Sequence, residues 1–314
     1  MTQSHNFISV IIPTFNRVNS LRTAIDSILV QNFDRAAYEI IIVDDSSSDE
    51  TADFLNQQKE KYSHIKPYRN QHNLGAAGTR NQGARLAGGT ILAFIDDDCI
   101  ADSNWLNEIN WGFSSYPRLM GVEGKTVKTN TELENPMTHA VENLHGKLFL
   151  SCNIAYAKDI FLKLNGFDVH YRGGLSISNE DFDLGFRIRE KGRILFNQRM
   201  IVYHPPRNLS FLLKIKYTPK RTLYEIRNEF LFYNKFPQAY QEVKFHKKIS
   251  GTLIYLTIKY LVVNLRKKRV YLLKTPIKYI QFGILKLIEQ IFYIINLVVF
   301  FLFDFKKQKG LIDG

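Results

Sequence analysis

Thr90-Ile91-Leu92-Ala93-Phe94-Ile95-Asp96-Asp97-Asp98 is the stretch that decides the fold: five apolar residues without a break, then three carboxylates. An apolar run of this length that does not alternate fits a strand covered on both faces, as in a parallel sheet between helix layers. The same grammar repeats toward the N-terminus. Ile8 to Ile12 reads as a strand stopped by Pro13, and Val18 to Gln31 as a helix with Leu21, Ile25, Ile28 and Leu29 on one face. Tyr38 to Val43 reads as a second strand, Asp49 to Tyr62 as a helix, His64 to Tyr68 as a short strand and Ala76 to Ala87 as a helix. Past the triplet, Asn104 to Ser114 reads as another helix. Alternating elements of this kind predict an α/β fold: a mostly parallel sheet flanked by helices, with ligands gathering beyond the carboxyl ends of the strands.

Those strand ends carry the polar residues. Pro13-Thr14-Phe15-Asn16-Arg17 follows the first strand, Asp44-Asp45-Ser46-Ser47-Ser48-Asp49 the second, and Asp96-Asp97-Asp98 the one ending at Ile95. Like charges packed this closely raise one another's pKa unless a cation neutralises them, so a divalent ion is a natural partner for Asp96 and Asp98, with phosphate oxygens completing its shell. An isolated triplet would read equally as a solvated turn; its position after a buried strand favours the metal. Asp45 is placed to face a nucleobase or ribose, while Ser46 to Asp49 suit an Asx turn and capping of the next helix. Asn73 to Asn81 joins small residues, including Gly75, to the cation of Arg80 at a helix start, which suits close approach of a diphosphate. There is no GxGxxG after the first strand and no GxxxxGK[ST] loop, so dinucleotide oxidoreductase and P-loop readings lose support. Further on, Glu180 and Asp181 stand at a predicted helix start, and Asp181 is the candidate general base; an acidic first turn favoured by the helix dipole is the plainer alternative. His204, after the apolar run Ile201 to Tyr203, is a candidate metal ligand or an ordinary core histidine.

The chain has 314 residues, 45% hydrophobic and 23% charged, which excludes a miniature disulfide scaffold and wholesale disorder. Cys99 and Cys152 stand alone, with no CxxC pair, and Met1 to Phe7 shows no apolar signal core; the expectation is a cytosolic, reducing setting and two packed thiols. The net charge of +12 is unevenly spread. Residues 1–205 hold 21 Lys+Arg and 24 Asp+Glu, net −3, whereas residues 206–314 hold 21 and 6, net +15. This split predicts a catalytic domain over 1–205 and a basic, apolar helical region over 206–314.

Ser9 to Arg17, Ile42-Val43-Asp44-Asp45-Ser46, Asn73 to Asn81, Phe94-Ile95-Asp96-Asp97-Asp98, Asn165-Gly166-Phe167-Asp168 and Asn179-Glu180-Asp181, in that order, resemble glycosyltransferase family 2 across residues 7–205. The resemblance implies a GT-A fold with a Rossmann-like sheet, and an inverting, metal-dependent transferase that uses a nucleotide-sugar, a UDP-sugar by preference, with Mn2+ or Mg2+. Carried onto this chain, it implies that Pro13, Thr14, Asn16, Arg17, Asp45, Gly75, Arg80, Asp96, Asp97, Asn153 and Glu180 bind the donor. It further implies that Asp96, Asp98 and His204 hold the metal and that Asp181 takes the acceptor's proton. Ser46 stands where the family commonly has glycine, and no QxxRW segment occurs, which argues against processive synthesis.

In the C-terminal third, Thr222 to Asn234 reads as a helix. From Pro276, Lys278, Gln281, Lys286, Glu289, Gln290 and Asn296 fall opposite Ile280, Ile284, Leu287, Ile291 and Ile295, the layout of a helix lying at a membrane interface. Lys244 to Lys248 and Arg266-Lys267-Lys268-Arg269 add cations suited to anionic headgroups, while a helical subdomain packing on another copy would account for the same pattern. Nucleic acid fits such an apolar surface poorly. The expectation is a peripheral enzyme at the inner face of the cell membrane acting on a glycan or lipid-linked acceptor. A polyprenyl-phosphate sugar synthase and a non-catalytic nucleotide-binding scaffold are the alternatives.

Overall fold

A computed structural model describes residues 6–129, 138–139, 141–171, 179–208, 210–237 and 276–299. Two units divide the chain: Met1–Thr129, Ala140–His170 and Glu180–Pro205 form one, and Asn130–His139, Tyr171–Asn179 and Pro206–Gly314 the other. The first unit opens with β1 (Ile8–Thr14), α1 (Val18–Leu29), β2 (Tyr38–Asp44), α2 (Thr51–Lys61), β3 (Ile65–Arg69), α3 (Gly75–Leu86) and β4 (Ile91–Phe94). It continues with β5 (Ile100–Ala101), α4 (Trp105–Ser115) and β6 (Gly121–Lys128); β7 (Thr138–His139) belongs to the second unit. It ends with β8 (Ile154–Ala157), α5 (Lys158–Lys163), α6 (Glu180–Arg189) and β9 (Ile194–His204).

Eight strands form one sheet in the order β3-β2-β1-β4-β8-β6-β9-β5. The half built from the first hundred residues is parallel throughout. The other half is mixed: β8 runs antiparallel between β4 and β6, and β5 antiparallel along β9, while β6 and β9 are parallel. Successive side chains of a strand point to opposite faces, and the burial follows that parity. Ile8, Val10, Ile12, Ile40 and Ile42 pack with Leu21 and Ile25 of α1, Phe54 of α2 and Trp105 of α4. Ile11, Ile41 and Val43 pack on the other face with Ala77 and Ala84 of α3 and Leu184 and Ile188 of α6. Both faces are covered, which is why these strands read as unbroken apolar runs; each such buried side chain contributes about 1.5–3 kcal/mol.

Pro13 does not stop β1, which continues to Thr14 in register with Val43 and Asp44. The Ile11 carbonyl accepts from Ile95 N–H on the β4 side, and Thr14 O accepts from Asp45 N–H on the β2 side. Parity therefore turns Pro13 toward β4, beyond the Ile11 to Phe94 register at which that pairing ends, and its missing N–H costs no ladder bond.

The second unit also differs from a cut at residue 205: β7 pairs antiparallel with β10 (Arg207–Asn208). Helix α7 (Phe211–Lys235) begins well before Thr222, with the Ser210 hydroxyl accepting from Leu213 N–H as its cap. Pro219 lies inside it, and the hydroxyls of Thr218 and Thr222 bond the carbonyls of Lys214, Thr218 and Pro219 around it. Helix α8 (Pro276–Val299) packs on α7 through Phe282 and Leu285 against Phe211 and Ile215. Farther along, Arg221 pairs with Glu289, and Asn296 Nδ2 donates to Pro219 O and Thr222 Oγ1, both at 2.6 Å. The contacts advance together along both helices, so α7 and α8 run in the same direction. The basic clusters Lys244 to Lys248 and Arg266 to Arg269 lie outside the described residues.

Candidate active site

The carboxyl ends of β1, β2 and β4 gather two sets of ionised groups in the first unit. One centres on Arg80, whose guanidinium is buried and bonds Asp96 Oδ1 through Nη2 at 2.6 Å. Asp181 and Glu180, at the start of α6, are its other charge partners, and together with Asp96 they hold it above its ordinary pKa although burial works against its charge. Ser151 donates to Asp181 Oδ2 from its backbone N–H at 3.0 Å and its hydroxyl at 3.2 Å. Among the described residues, Asp181 Oδ1, Glu180 Oε2 and Arg80 Nε are buried with no hydrogen-bond partner. Three carboxylates face one guanidinium, so burial pushes the Asp181 carboxyl up, against the pull of Arg80 and of the Ser151 donors. Burial and then repulsion from Asp181 push Glu180 up as well.

The other set lies around Arg17. Its Nη1 donates to Asp97 Oδ1 at 3.1 Å and stands 3.7 Å from Asp98 Oδ2, while Thr14 Oγ1 donates to Asp97 Oδ2 at 2.8 Å. Asp97 thus ties the end of β1 to the end of β4. Asp98, Cys99 and His204 bring one ligand atom each within 4.8 Å of one another. His204 Nδ1 lies 3.0 Å from Pro205 O; a proton there leaves Nε2 as the free lone pair. The carboxylate fits Mn2+ or Mg2+, and the imidazole favours the transition metal of the two. Cys99 fits less well, because the neighbouring Cys152 thiol and burial keep its thiol protonated. Of the three predicted ligands, Asp98 and His204 lie together, and Asp96 pairs through Oδ1 with Arg80.

The predicted nucleotide side is built around backbone. Asp45 Oδ1 accepts from Asn70 Nδ2 and Leu74 N–H, both at 2.8 Å, and Oδ2 accepts from Gly75 N–H at 2.9 Å. Asp45 therefore holds the loop that enters α3. Gly75 sits at φ +75°, a conformation glycine adopts without a Cβ penalty, and a Cβ there would meet nothing within 4 Å, so the helix start is open to an incoming group. Asn16, at φ +54°, accepts from Ser48 N–H at 2.7 Å and donates its own N–H to Ser47 Oγ at 2.9 Å. The serines of the second turn thus bind the first turn and do not cap α2, whose N-cap Glu50 makes no side-chain cap bond. Ser46 has φ +70°, which gives the physical reason for a glycine preference at that position.

Asn153 departs from its predicted role. Its Oδ1 accepts from Trp105 Nε1 at 2.9 Å, and its Nδ2 donates to Lys125 O at 3.0 Å and Met200 O at 3.1 Å. Both amide protons are spent joining β6 and β9, and the side chain is buried, so it is a scaffold cross-link. Ser151, two residues earlier, is the member of this segment that reaches the site. Sequence reasoning missed it because the link to Asp181 spans 30 residues. Asn81, the last residue of the Asn73 to Asn81 segment, clasps Phe167 by donating to its carbonyl at 2.7 Å and accepting its N–H at 2.9 Å.

Comparison with known proteins bears on the family and the fold. The model of the family described as Glycosyl transferase family 2 matches residues 9–110. The glucosyltransferase WfaP of Escherichia coli, named for UDP-Glc and α-D-GlcNAc-diphosphoundecaprenol, is 31% identical over 191 residues, covering 59% of this chain and 71% of that protein. The chain belongs to glycosyl transferase family 2. The chain is also 31% identical over 106 residues to the glycosyltransferase AglE of Haloferax volcanii, covering 34% of this chain and 35% of that protein. It spans about a third of the length of AglE and of the poly(ribitol-phosphate) β-glucosyltransferase of Bacillus spizizenii. The mannosyltransferase PcManGT from Pyrobaculum calidifontis, solved with GDP-Man and Mn2+, superposes with a TM-score of 0.61 at 16% identity, covering 96% of this chain and 88% of that one. Staphylococcus aureus TarS 1–349 gives 0.55 at 17% identity, covering 91% and 88%. These two show the GT-A fold.

Proposed function

We propose that the chain is a metal-dependent, inverting glycosyltransferase that moves a sugar from a nucleotide-sugar, a UDP-sugar by preference, to a hydroxyl of a glycan or lipid-linked acceptor at the cytoplasmic face of a membrane. The observation that carries this reading is Asp181: a buried carboxylate, fixed by Ser151 on one oxygen, with the other unpartnered. Its raised pKa suits a base that must accept a proton and later release it.

In this reading Asp181 Oδ1 takes the proton of the acceptor hydroxyl as that oxygen attacks the anomeric carbon, and a single displacement inverts the centre. Asp98 and His204 would hold Mn2+ or Mg2+, which supplies charge stabilisation for the departing diphosphate. Arg80 keeps Asp96, Glu180 and Asp181 together and limits their mutual repulsion. Pro13 and the loop tied down by Asp45 border the nucleoside side, and Thr14, Asn16, Arg17 and Asp97 fix the turn beside it. The names of relatives support the substrate classes: a Campylobacter jejuni protein 42% identical over 92 residues is a GalNAc(5)-diNAcBac-PP-undecaprenol β-1,3-glucosyltransferase.

Calorimetric titration of UDP with and without Mn2+, beside sugar transfer from UDP-glucose and a panel of other nucleotide-sugars to GlcNAc-diphosphoundecaprenol, tests the proposal. UDP binding that needs Mn2+, is lost in His204→Ala and accompanies turnover of one donor is the expected result. UDP binding without hydrolysis or transfer of any donor would instead favour a nucleotide-binding scaffold.

A further inference from the structure

Helix α8 is built inside out for a helix in water. Phe282 and Leu285 are buried with Glu289 and Asn296, so the side facing α7 includes a carboxylate and an amide. The opposite side carries Ile277, Ile280, Ile284, Leu287, Ile291 and Ile295, between 46% and 71% exposed. At 100° per residue these six fall within one narrow arc, about a quarter of the helix circumference. The polar residues that a helical wheel would assign to solvent are thus engaged with a neighbouring helix, and the branched aliphatics are left outside. A stripe this continuous, about 27 Å long at 1.5 Å per residue, marks an interaction surface.

We propose that the exposed aliphatic stripe of α8 lies in the interfacial plane of an anionic lipid bilayer, parallel to the surface, with α7 held beside it. Charge selects this occupant over a second copy of the chain. Residues 206–314 carry 21 Lys+Arg against 6 Asp+Glu, so joining two such regions would bring together like charges, whereas anionic headgroups neutralise them. Lys278 on α8, and Lys216 and Lys220 on α7, are exposed cations on the same helix pair. An in-plane position is also the one these helices allow. Among the described residues no helix is long and apolar enough to cross a membrane. The ion pairs of Glu289 with Arg221 and Lys286 would have to enter the hydrocarbon if α8 stood upright. The aliphatic side chains need only the depth of the headgroup and acyl boundary.

Vesicle co-sedimentation of the full chain reads this surface directly, and it needs neither donor nor acceptor, so failure of the transfer reaction proposed above leaves it interpretable. The expected result is binding to vesicles of equal parts phosphatidylglycerol and phosphatidylcholine, weaker binding to phosphatidylcholine alone, and partial release by salt. The variant Ile284→Glu/Leu287→Glu/Ile291→Glu should weaken partitioning roughly a hundredfold or more, with helix content and thermal transition unchanged because these side chains do not face α7. Leu287→Gln, a milder change at the centre of the stripe, should weaken it roughly threefold or more and keeps the test decisive if the triple variant folds poorly. Wild-type protein that stays in solution with anionic vesicles, or variants that bind as tightly as wild type, would overturn the proposal. So would sedimentation velocity showing a dimer that the triple variant splits into monomers.

Discussion

Glu123 and Asp181 are both buried carboxylates in the same unit, and they are treated in opposite ways. Glu123 receives four protein donors: Asn143 Nδ2 and the N–H groups of Lys147, Leu148 and Phe149, at 2.7–2.9 Å. Asp181 receives Ser151 on one oxygen, while the other is buried without a partner beside Glu180, Asp96 and Arg80. A carboxylate whose lone pairs are filled stabilises the loop that fills them. One whose lone pairs are left open costs stability, and such a cost persists where the group has a task. The difference sets Glu123 on β6 apart from Asp181 on α6 within one unit, and it supports the role proposed for Asp181.

Variants can break or sharpen that contrast, and the largest effect belongs to Arg80. Arg80→Met leaves Asp96, Glu180 and Asp181 without their buried cation and should cost about 3–5 kcal/mol, seen as a large fall in the denaturant midpoint at neutral pH and partly recovered in acid as the carboxyls take up protons. Glu123→Gln comes next. Its amide cannot accept on both sides, so about 2–3 kcal/mol should be lost in unfolding experiments, with turnover per folded molecule unchanged. If instead it abolished turnover in a stable protein, the division between the two acids would be wrong.

Acidity provides a third test. Glu180 and Asp181 have folded pKa values raised above their unfolded ones, so the stability they contribute is complete below the ordinary carboxylate range and is lost as pH rises through the raised folded values. In the proposed reaction transfer needs Asp181 ionised, and the rate should rise over the same interval. Thermal stability and rate are therefore expected to move in opposite directions from the ordinary carboxylate range toward neutrality, while Glu180→Gln flattens the stability profile. Parallel profiles would contradict the assignment. The smallest effect concerns the second turn: Ser46→Gly removes a Cβ from a residue at φ +70° and should raise stability by up to about 1 kcal/mol, measured by chemical denaturation, without altering nucleotide binding.

The contrast also shows what could be read from residues alone. Strands β1, β2 and β4 were legible because each is buried on both faces, and the acids at their ends followed from that. Strands β6 and β8 were not: Gly121-Val122-Glu123-Gly124-Lys125 hides a carboxylate whose partners come from residues 143–149, and no local pattern announces that. Asp98 and His204 come together across more than a hundred residues, whereas spacing alone could not show that Arg80 pairs with Asp96. Asn153 and Ser151 lie on one short segment, and only the packing of Trp105 against Asn153 reveals which of the two serves the scaffold. In α8 the wheel gave the two sides and the outward position of the aliphatic one; it could not show that the polar side packs on α7, which begins 65 residues earlier in sequence (Phe211 against Pro276).

Asp181→Asn, examined for donor binding and for transfer in the same preparation, tests the working role of the open carboxylate most directly. Transfer should fall by about 10²–10⁴-fold while Mn2+-dependent UDP binding stays near the wild-type value and the melting temperature rises, as expected when a buried like-charge contact is removed. Retained transfer, or loss of UDP binding together with loss of stability, would show that Asp181 belongs with Glu123 among the scaffold acids.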